Sequence, residues 1–303
     1  MIKLGILDFD TSHAVEFTWR LNQIGETPKE AEQFVEGARV VIGCPGQSEL
    51  SPERIPGYAA QMKKYGVPLV DQPTDMIGKV DGMLIEAVDG TVHLERAKPF
   101  LESGIPCFID KPFACSAADA RKIVELSNKH HAPVFSSSSL RYAPQVVDFV
   151  GETNSGKLIG CAVHGPASLS PKPDRNPGLY HYGIHPVEIL YTLMGPGCKR
   201  VMCLHEKGTD LVTGQWSDGR IASVRGIREG ASGYGFTAFT EKGIQTVTVR
   251  TDVIYRELLK KVVEFFKTGR SPVPTDTMIE IIAFIEAANK SGNNHGAGEV
   301  VAR

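Results

Sequence analysis

No apolar run in these 303 residues approaches the ~20 consecutive residues that a membrane helix needs, so the chain is not expected to enter a bilayer. The opening stretch, Met1-Ile-Lys-Leu-Gly-Ile-Leu-Asp8, is strand-like and is ended at once by acidic residues, too short for the hydrophobic region of a signal peptide. A cytoplasmic setting is expected. A dominant charge is missing too: the net charge of −2 supplies no electrostatic attraction to nucleic acid or to an anionic membrane, which favours small neutral partners. Cys44, Cys107, Cys115, Cys161, Cys198 and Cys203 are scattered without a CxxC pair, a pattern that argues against a cysteine metal site and suits reduced, buried thiols. Internal repeats and low-complexity segments are absent. What remains is an ordinary globular composition, 42% hydrophobic and 22% charged, on a chain long enough for a large core and two domains.

Apolar patterning predicts a strand at 2–7, a helix from about His13 to Ile24 capped by Thr11 or Ser12, and a strand from Ala38 to Ile42. Helical tendency from Pro52 to Tyr65 is broken or kinked at Pro56-Gly57. Short strands follow at Val67–Val70, Val80–Val88, Ile105–Ile109 and Pro133–Ser136, with helices at Thr91–Ser103 and Ala117–His130 between them. This alternation calls for right-handed crossovers and a doubly wound parallel sheet, a Rossmann-type α/β domain over residues 1–138. Beyond Tyr142-Ala-Pro144 the pattern changes to consecutive strands with short turns, among them the Asp218-Gly219 hairpin, and two helices close the chain. Residues 139–303 are expected to form an α+β domain with a largely antiparallel open sheet, its C-terminal helices packing back on the first domain.

Ligands of open parallel sheets bind beyond the carboxyl ends of the strands, which singles out Asp8–His13, Cys44–Ser48, Val88–His93 and Asp110–Pro112. Pro112 fixes its own φ and restricts Lys111 to an extended backbone, so the arrangement secures position. The three donors of Lys111 suit a substrate hydroxyl and a cofactor ribose; an isolated Lys-Pro equally suits a surface lysine paired with Asp110. In Tyr180-His-Tyr-Gly-Ile-His-Pro-Val-Glu188, helical spacing would put His181, His185 and Glu188 on one face, with Pro186 holding His185 at the helix entrance. An imidazole there can act as a general base; a packed core histidine and a metal site are the rival readings, the metal one ranking last.

In order and spacing, these residues resemble the glucose–fructose oxidoreductase and inositol dehydrogenase family, Gfo/Idh/MocA, over nearly the whole chain. Asp110-Lys111-Pro112 is similar to its Glu-Lys-Pro corner, Ile85 to His93 to its loop after the fourth strand, Arg141-Tyr-Ala-Pro144 to the start of its second domain, and Ala287-Ala-Asn-Lys-Ser291 to its late helix; His185 falls on its catalytic histidine. The resemblance implies an NAD- or NADP-dependent oxidoreductase acting on a sugar, polyol or derivative, and a homo-oligomer, dimer or tetramer, joined through the C-terminal sheet. It implies catalytic roles for Lys111, His185 and His181. Cofactor contacts are expected from Asp10, Thr11, Ser12, His13, Ser48, Val88, His93, Asp110 and Lys111, substrate contacts from Lys111, Arg141, Tyr182, His185 and Glu188, and no metal. Two features depart from the family. Asp8-Phe-Asp-Thr-Ser-His13 stands where the family has Gly-x-Gly-x-x-Gly, so two carboxylates would oppose a pyrophosphate while Thr11, Ser12 and His13 could donate to it. Cys44-Pro-Gly-Gln-Ser48 stands where an acidic residue would grip the ribose, leaving NAD and NADP undistinguished. The alternative is a non-redox carbohydrate-binding or regulatory protein on the same scaffold that has lost normal dinucleotide binding.

Overall fold

The structure, a computed structural model, describes residues 1–152 and 154–302. Its contacts divide the chain into two compact units. The first comprises Met1–Ala114, Ala118–Ser137 and Tyr255–Thr275; the second comprises Cys115–Ala117, Ser138–Ile254 and the residues from Asp276 onward.

The first unit is built on strands β1 (Ile2–Leu7), β2 (Ala38–Cys44), β3 (Gly82–Ile85), β4 (Cys107–Ile109) and β5 (Val134–Phe135), with helices α1 (His13–Leu21), α2 (Pro28–Ala31), α3 (Ile55–Lys64), α4 (His93–Glu102), α5 (Ala117–His130) and, from late in the chain, α8 (Ile254–Thr268). The sheet is wholly parallel in the order β2-β1-β3-β4-β5. Leu4 to Leu7 and all of β3 are buried, as expected of strands covered on both faces. α8 reaches the sheet because Gly82 has no side chain: a Cβ there would overlap the ring of Phe266, and the neighbouring Phe265 meets Phe135 at 5.7 Å. The strand order reverses direction between β1 and β3. That is the switch point of the fold, and the turns after β1, β3 and β4 form its rim.

Three local expectations change. Val67–Val70 is not a strand but a single bridge, Gly43 to Leu69, so the sheet has five strands rather than six. Pro68 explains this, since it can accept from Gly43 N–H but has no N–H to continue a ladder. Pro56 does not break the helix: a 3₁₀ turn at Pro52–Arg54 leads into α3, and Pro56 lies in its first turn, where the missing N–H has no intrahelical partner to lose. Ser12 occupies the N-cap of α1 without capping it through its side chain, and Thr11 Oγ1 instead accepts from His13 N–H at 3.3 Å.

The second unit carries β6 (Leu158–Pro166), β7 (Cys198–Glu206), β8 (Thr209–Trp216), β9 (Ile221–Ile227), β10 (Tyr234–Thr240), β11 (Gly243–Val249) and β12 (Glu299–Val300), with α6 (Pro144–Gly151), α7 (Ile184–Met194) and α9 (Thr275–Asn293). Its strand order is β11-β10-β6-β9-β8-β7-β12, antiparallel except for the β6–β9 pair. The β8–β9 hairpin turns at Asp218-Gly219, where Gly219 has φ +88°. Strict alternation in β8 sends Asp210, Val212, Gly214 and Trp216 inward, and α7 packs on β6 and β9. The opposite face leaves Met202, Leu204, Leu211, Ile221 and Ile244 exposed.

Candidate active site

In the first unit the turn after β1 keeps the shape that a glycine would give it while changing its charge. Asp8 has φ +68°, a left-handed conformation that aspartate tolerates better than most residues. Its N–H donates to Cys44 O and that of Phe9 to Pro45 O, at 3.0 and 2.9 Å, so the segment after β2 is laid against the turn. Gly46, at φ +67°, permits this approach, because a Cβ there would overlap Asp8 Oδ1. Both carboxylates face protein groups. Asp8 Oδ2 accepts from Arg96 Nε at 3.2 Å, and Asp10 Oδ1 accepts from Val88 N–H at 3.1 Å. Burial pushes the Asp8 carboxyl up to about 7 against the pull of Arg96, with Asp10 adding repulsion. Burial also raises Asp10, opposed by hydrogen bonds from Ser48 and Val88.

Thr11 and Ser12 lead into α1, and among the described residues their backbone N–H groups find no acceptor. Two such donors at the positive end of a nine-residue helix suit a phosphate oxygen. His13 does not join them. Its Nδ1 bonds Asp110 Oδ2 at 2.8 Å, its Nε2 bonds the Tyr255 hydroxyl at 3.2 Å, and its ring stacks on Phe17 with centroids 4.7 Å apart. His93 is likewise enclosed rather than presented to a cofactor. Both of its ring nitrogens meet carbonyl oxygens, Pro112 O at 2.8 Å and Ala87 O at 2.9 Å, which ties the turn after β3 to the corner after β4. Ser48 Oγ accepts from Leu50 and Ser51 N–H and so shapes the segment after β2.

At the corner itself the Lys111–Pro112 peptide is cis, and Asp110 and Lys111 are both buried. Burial alone would raise the Asp110 carboxyl, but His13 and then Lys111 outweigh it and hold the group down at about 2. Burial opposes protonation of His13; Asp110 overcomes it and lifts His13 well above the usual histidine range. Glu86, just beyond β3, stands 3.7 Å from His13 Nδ1, and neither of its oxygens accepts a hydrogen bond. Burial pushes it up to about 7. Sequence reading missed Glu86 as a site residue, although a lone carboxylate in Met83-Leu84-Ile85-Glu86-Ala87 was a visible signal; Arg96 and Tyr255 offered none.

In the second unit Pro186 sits in the first turn of α7 and His185 just before it, as its spacing required. His181 follows the 3₁₀ turn Gly178–Tyr180 and lies outside α7, so it does not share a helical face with the other two. His185 and Glu188 do converge, and what they converge on is Ser138. Ser138 Oγ lies 2.7 Å from His185 Nδ1, and Ser138 N–H donates to Glu188 Oε1 at 3.3 Å. Arg141 donates through Nε and Nη2 to Glu188 Oε2 at 2.8 and 2.6 Å. Arg141 and Glu188 therefore brace one another beside Ser138. Tyr182, 42% exposed, sets its ring against that of His185 at 5.2 Å, and Tyr234 approaches at 6.1 Å. Among the described residues the cluster with metal-ligand spacing is His13, Glu86 and Asp110, all within 4.8 Å, and the His181–His185–Glu188 metal reading is dropped.

Residues 50–138 match the model of an oxidoreductase family with an NAD-binding Rossmann fold. The chain is 25% identical over 185 residues to an inositol 2-dehydrogenase of Salmonella paratyphi B, an alignment covering 59% of this chain and 54% of that one. It thus spans about half the length of the curated relatives it matches. Among solved structures, a probable dehydrogenase from Thermotoga maritima superposes with a TM-score of 0.79 at 16% identity, covering 99% of both chains. A myo-inositol dehydrogenase from Corynebacterium glutamicum gives 0.79 at 13% identity, covering 100% of this chain and 99% of that one. At these identities the two structures support the fold.

Proposed function

We propose, for a chain whose residues 50–138 match the model of the Gfo/Idh/MocA oxidoreductase family, the function of a nicotinamide-dependent dehydrogenase acting on a CH–OH carbon of a sugar, polyol or derivative. The observation that carries this reading is the fixed His185 ring: Ser138 Oγ lies 2.7 Å from Nδ1 and so sets the orientation of the imidazole that takes the hydroxyl proton. Lys111, buried behind its proline, supplies the cation that orients the substrate oxygen. The N–H groups of Thr11 and Ser12 would hold the pyrophosphate, with Ser48, Val88 and Lys111 along the same rim. When bound, the nicotinamide supplies the hydride acceptor or donor. The exposed apolar face of the second sheet, Met202, Leu204, Leu211, Ile221 and Ile244, supports a homo-oligomer in which a second copy covers it, and sedimentation of the full chain tests this. Nothing in the composition opposes a cytoplasmic setting, and all six cysteines are free thiols.

Calorimetric titration of the full chain with the oxidised and reduced forms of NAD and NADP tests the reading, with saturable binding of one pair expected. A second reading, a non-redox carbohydrate-binding or regulatory protein, is favoured by the Phe9 N–H that already donates to Pro45 O and by the two carboxylates in the turn. Sugar binding without heat from any nicotinamide nucleotide would select it.

A further inference from the structure

The second unit holds a cavity of about 530 Å³ that shares no residue with the cluster of Ser138, His185 and Glu188. Its volume suits a small organic molecule. β7 and β8 supply one wall, α9 another, and the segment between β6 and α7 forms the mouth. The mouth is fixed by α9. Asn289 accepts from Leu179 N–H at 3.1 Å and donates to Pro177 O at 3.0 Å, and Gly178, at φ +56°, passes so close to that amide that a Cβ would overlap it.

The walls spend their donors inside the protein. The Tyr180 hydroxyl donates to Ile282 O at 3.2 Å, the Cys115 thiol to Asn176 Oδ1 at 3.1 Å, and His205 Nδ1 to Asp210 Oδ1 at 2.5 Å. In the neutral His205 ring this leaves an acceptor at Nε2. The His205 side chain is 42% exposed, yet the carboxylate holding it is buried and closed on its other oxygen by Arg228 Nη1. Glu286 adds a second carboxylate, whose Oε2 accepts from Ala117 N–H at 3.1 Å, leaving Oε1 for a ligand. Among the described residues no lysine or arginine lines the cavity, and Arg228 is spent on Asp210 and on the carbonyls of Glu206 and Lys207. The wall groups feel this charge: burial and then Glu286 raise the Tyr180 hydroxyl well above the usual phenol range, and burial and then Asp210 push the Cys203 thiol up to about 12.

We propose that this cavity binds a small organic ammonium ion, its N–H groups donating to Glu286 and His205 and its carbon skeleton lying against Leu169, Pro173, Pro177 and Ala288. An ammonium brings three donors, one positive charge and no acceptor, the complement of what the walls offer.

The test titrates cyclohexylammonium into the full chain in mildly alkaline buffer, with cyclohexanol and cyclohexanecarboxylate as controls on the same ring. NMR follows the His205 ring, assigned by its loss in His205→Gln. The ammonium should bind saturably, shift that ring and bind at least about tenfold more tightly than the alcohol, and the carboxylate should not bind. Glu286→Gln keeps an acceptor for Ala117 N–H but removes the charge, so it should weaken the ammonium about tenfold and leave the alcohol unchanged. Equal affinity for ammonium and alcohol, tighter binding of the carboxylate, or a titration that leaves His205 unmoved overturns the proposal. A Glu286→Gln protein that binds the ammonium as the wild type does overturns it as well. If that variant does not fold, the three probes on the wild type decide alone. None of these readouts uses a nucleotide, so failure of nicotinamide binding would refute the proposed function and leave this site standing.

Discussion

Replacing Glu86 by glutamine should change the protein's stability by an amount that depends on pH. Glu86 is fully buried, accepts no hydrogen bond, and is pushed by burial from 4.5 up to about 7. A carboxyl whose folded pKa exceeds its unfolded value contributes stability that is fully present below about pH 4.5 and is lost as pH rises through the folded value. From about pH 5 to about pH 8 the loss amounts to roughly 2–3 kcal/mol, because each tenfold change in a protonation equilibrium is worth about 1.4 kcal/mol. Glutamine has the shape of the protonated acid and does not ionise. Glu86→Gln should therefore be close to neutral near pH 5 and gain about 2–3 kcal/mol on the wild type near pH 8. Urea unfolding followed by circular dichroism at several pH values measures both arms. A variant destabilised equally at both ends would refute the reasoning, because Glu86 would then be held ionised by His13 and the burial cost would already be met by that pair.

Other perturbations follow from the same contacts. Arg141→Met leaves Glu188 Oε2 buried without its guanidinium and should cost about 3–5 kcal/mol, while adding Glu188→Leu should recover most of it; thermal denaturation measures both. Gly82→Ala drives a methyl into Phe266 and should cost about 1–3 kcal/mol, with Phe266→Leu relieving it. Ser138→Ala removes the hydrogen bond that orients His185 and should lower kcat/KM roughly tenfold to a hundredfold with nucleotide Kd unchanged, as separate turnover and binding measurements would show. Asp8→Asn removes a carboxyl that ionises near 7, so its advantage in nucleotide affinity should be small near pH 6 and grow by about pH 8, which titrations at the two values would detect.

The parallel half was legible because its signals are local: apolar strand runs, helix spacing between them, and Pro112 after Lys111. The second domain was legible for the same reason, through alternation and the Asp218-Gly219 turn. Contacts between distant parts of the chain were not. His13 meets Asp110 across 97 residues, and Ser138 meets His185 across 47, and no spacing rule announces either. Ser138 lay in a serine run that composition gave no reason to single out. The acidic turn was read for its charge and its donors but not for its counter-ion: Arg96 arrives from a helix 88 residues further on.

A turn after β1 without glycines therefore has two separable consequences. The backbone path is retained, since Asp8 takes a left-handed turn and Gly46 clears the space beside it. The donors are reduced, since the Phe9 N–H is consumed by Pro45 and the His13 ring by Asp110 and Tyr255, leaving the N–H groups of Thr11 and Ser12. A dinucleotide held here would gain less from the turn than one held by three glycines, and must draw more of its affinity from the rest of the rim. The charge now sits where it can be regulated: Asp8 is paired with Arg96 and ionises near 7, so the turn's repulsion of a phosphate rises and falls with proton occupancy within the physiological range. Arg96→Met separates these two consequences. It leaves the backbone path and the two donors untouched while stripping Asp8 of the cation that lowers its pKa, so Asp8 should stay protonated to higher pH and the fall in nucleotide affinity should begin at a higher pH than in the wild type, where it begins near 7. Equal loss at every pH would show that Arg96 contacts the nucleotide itself.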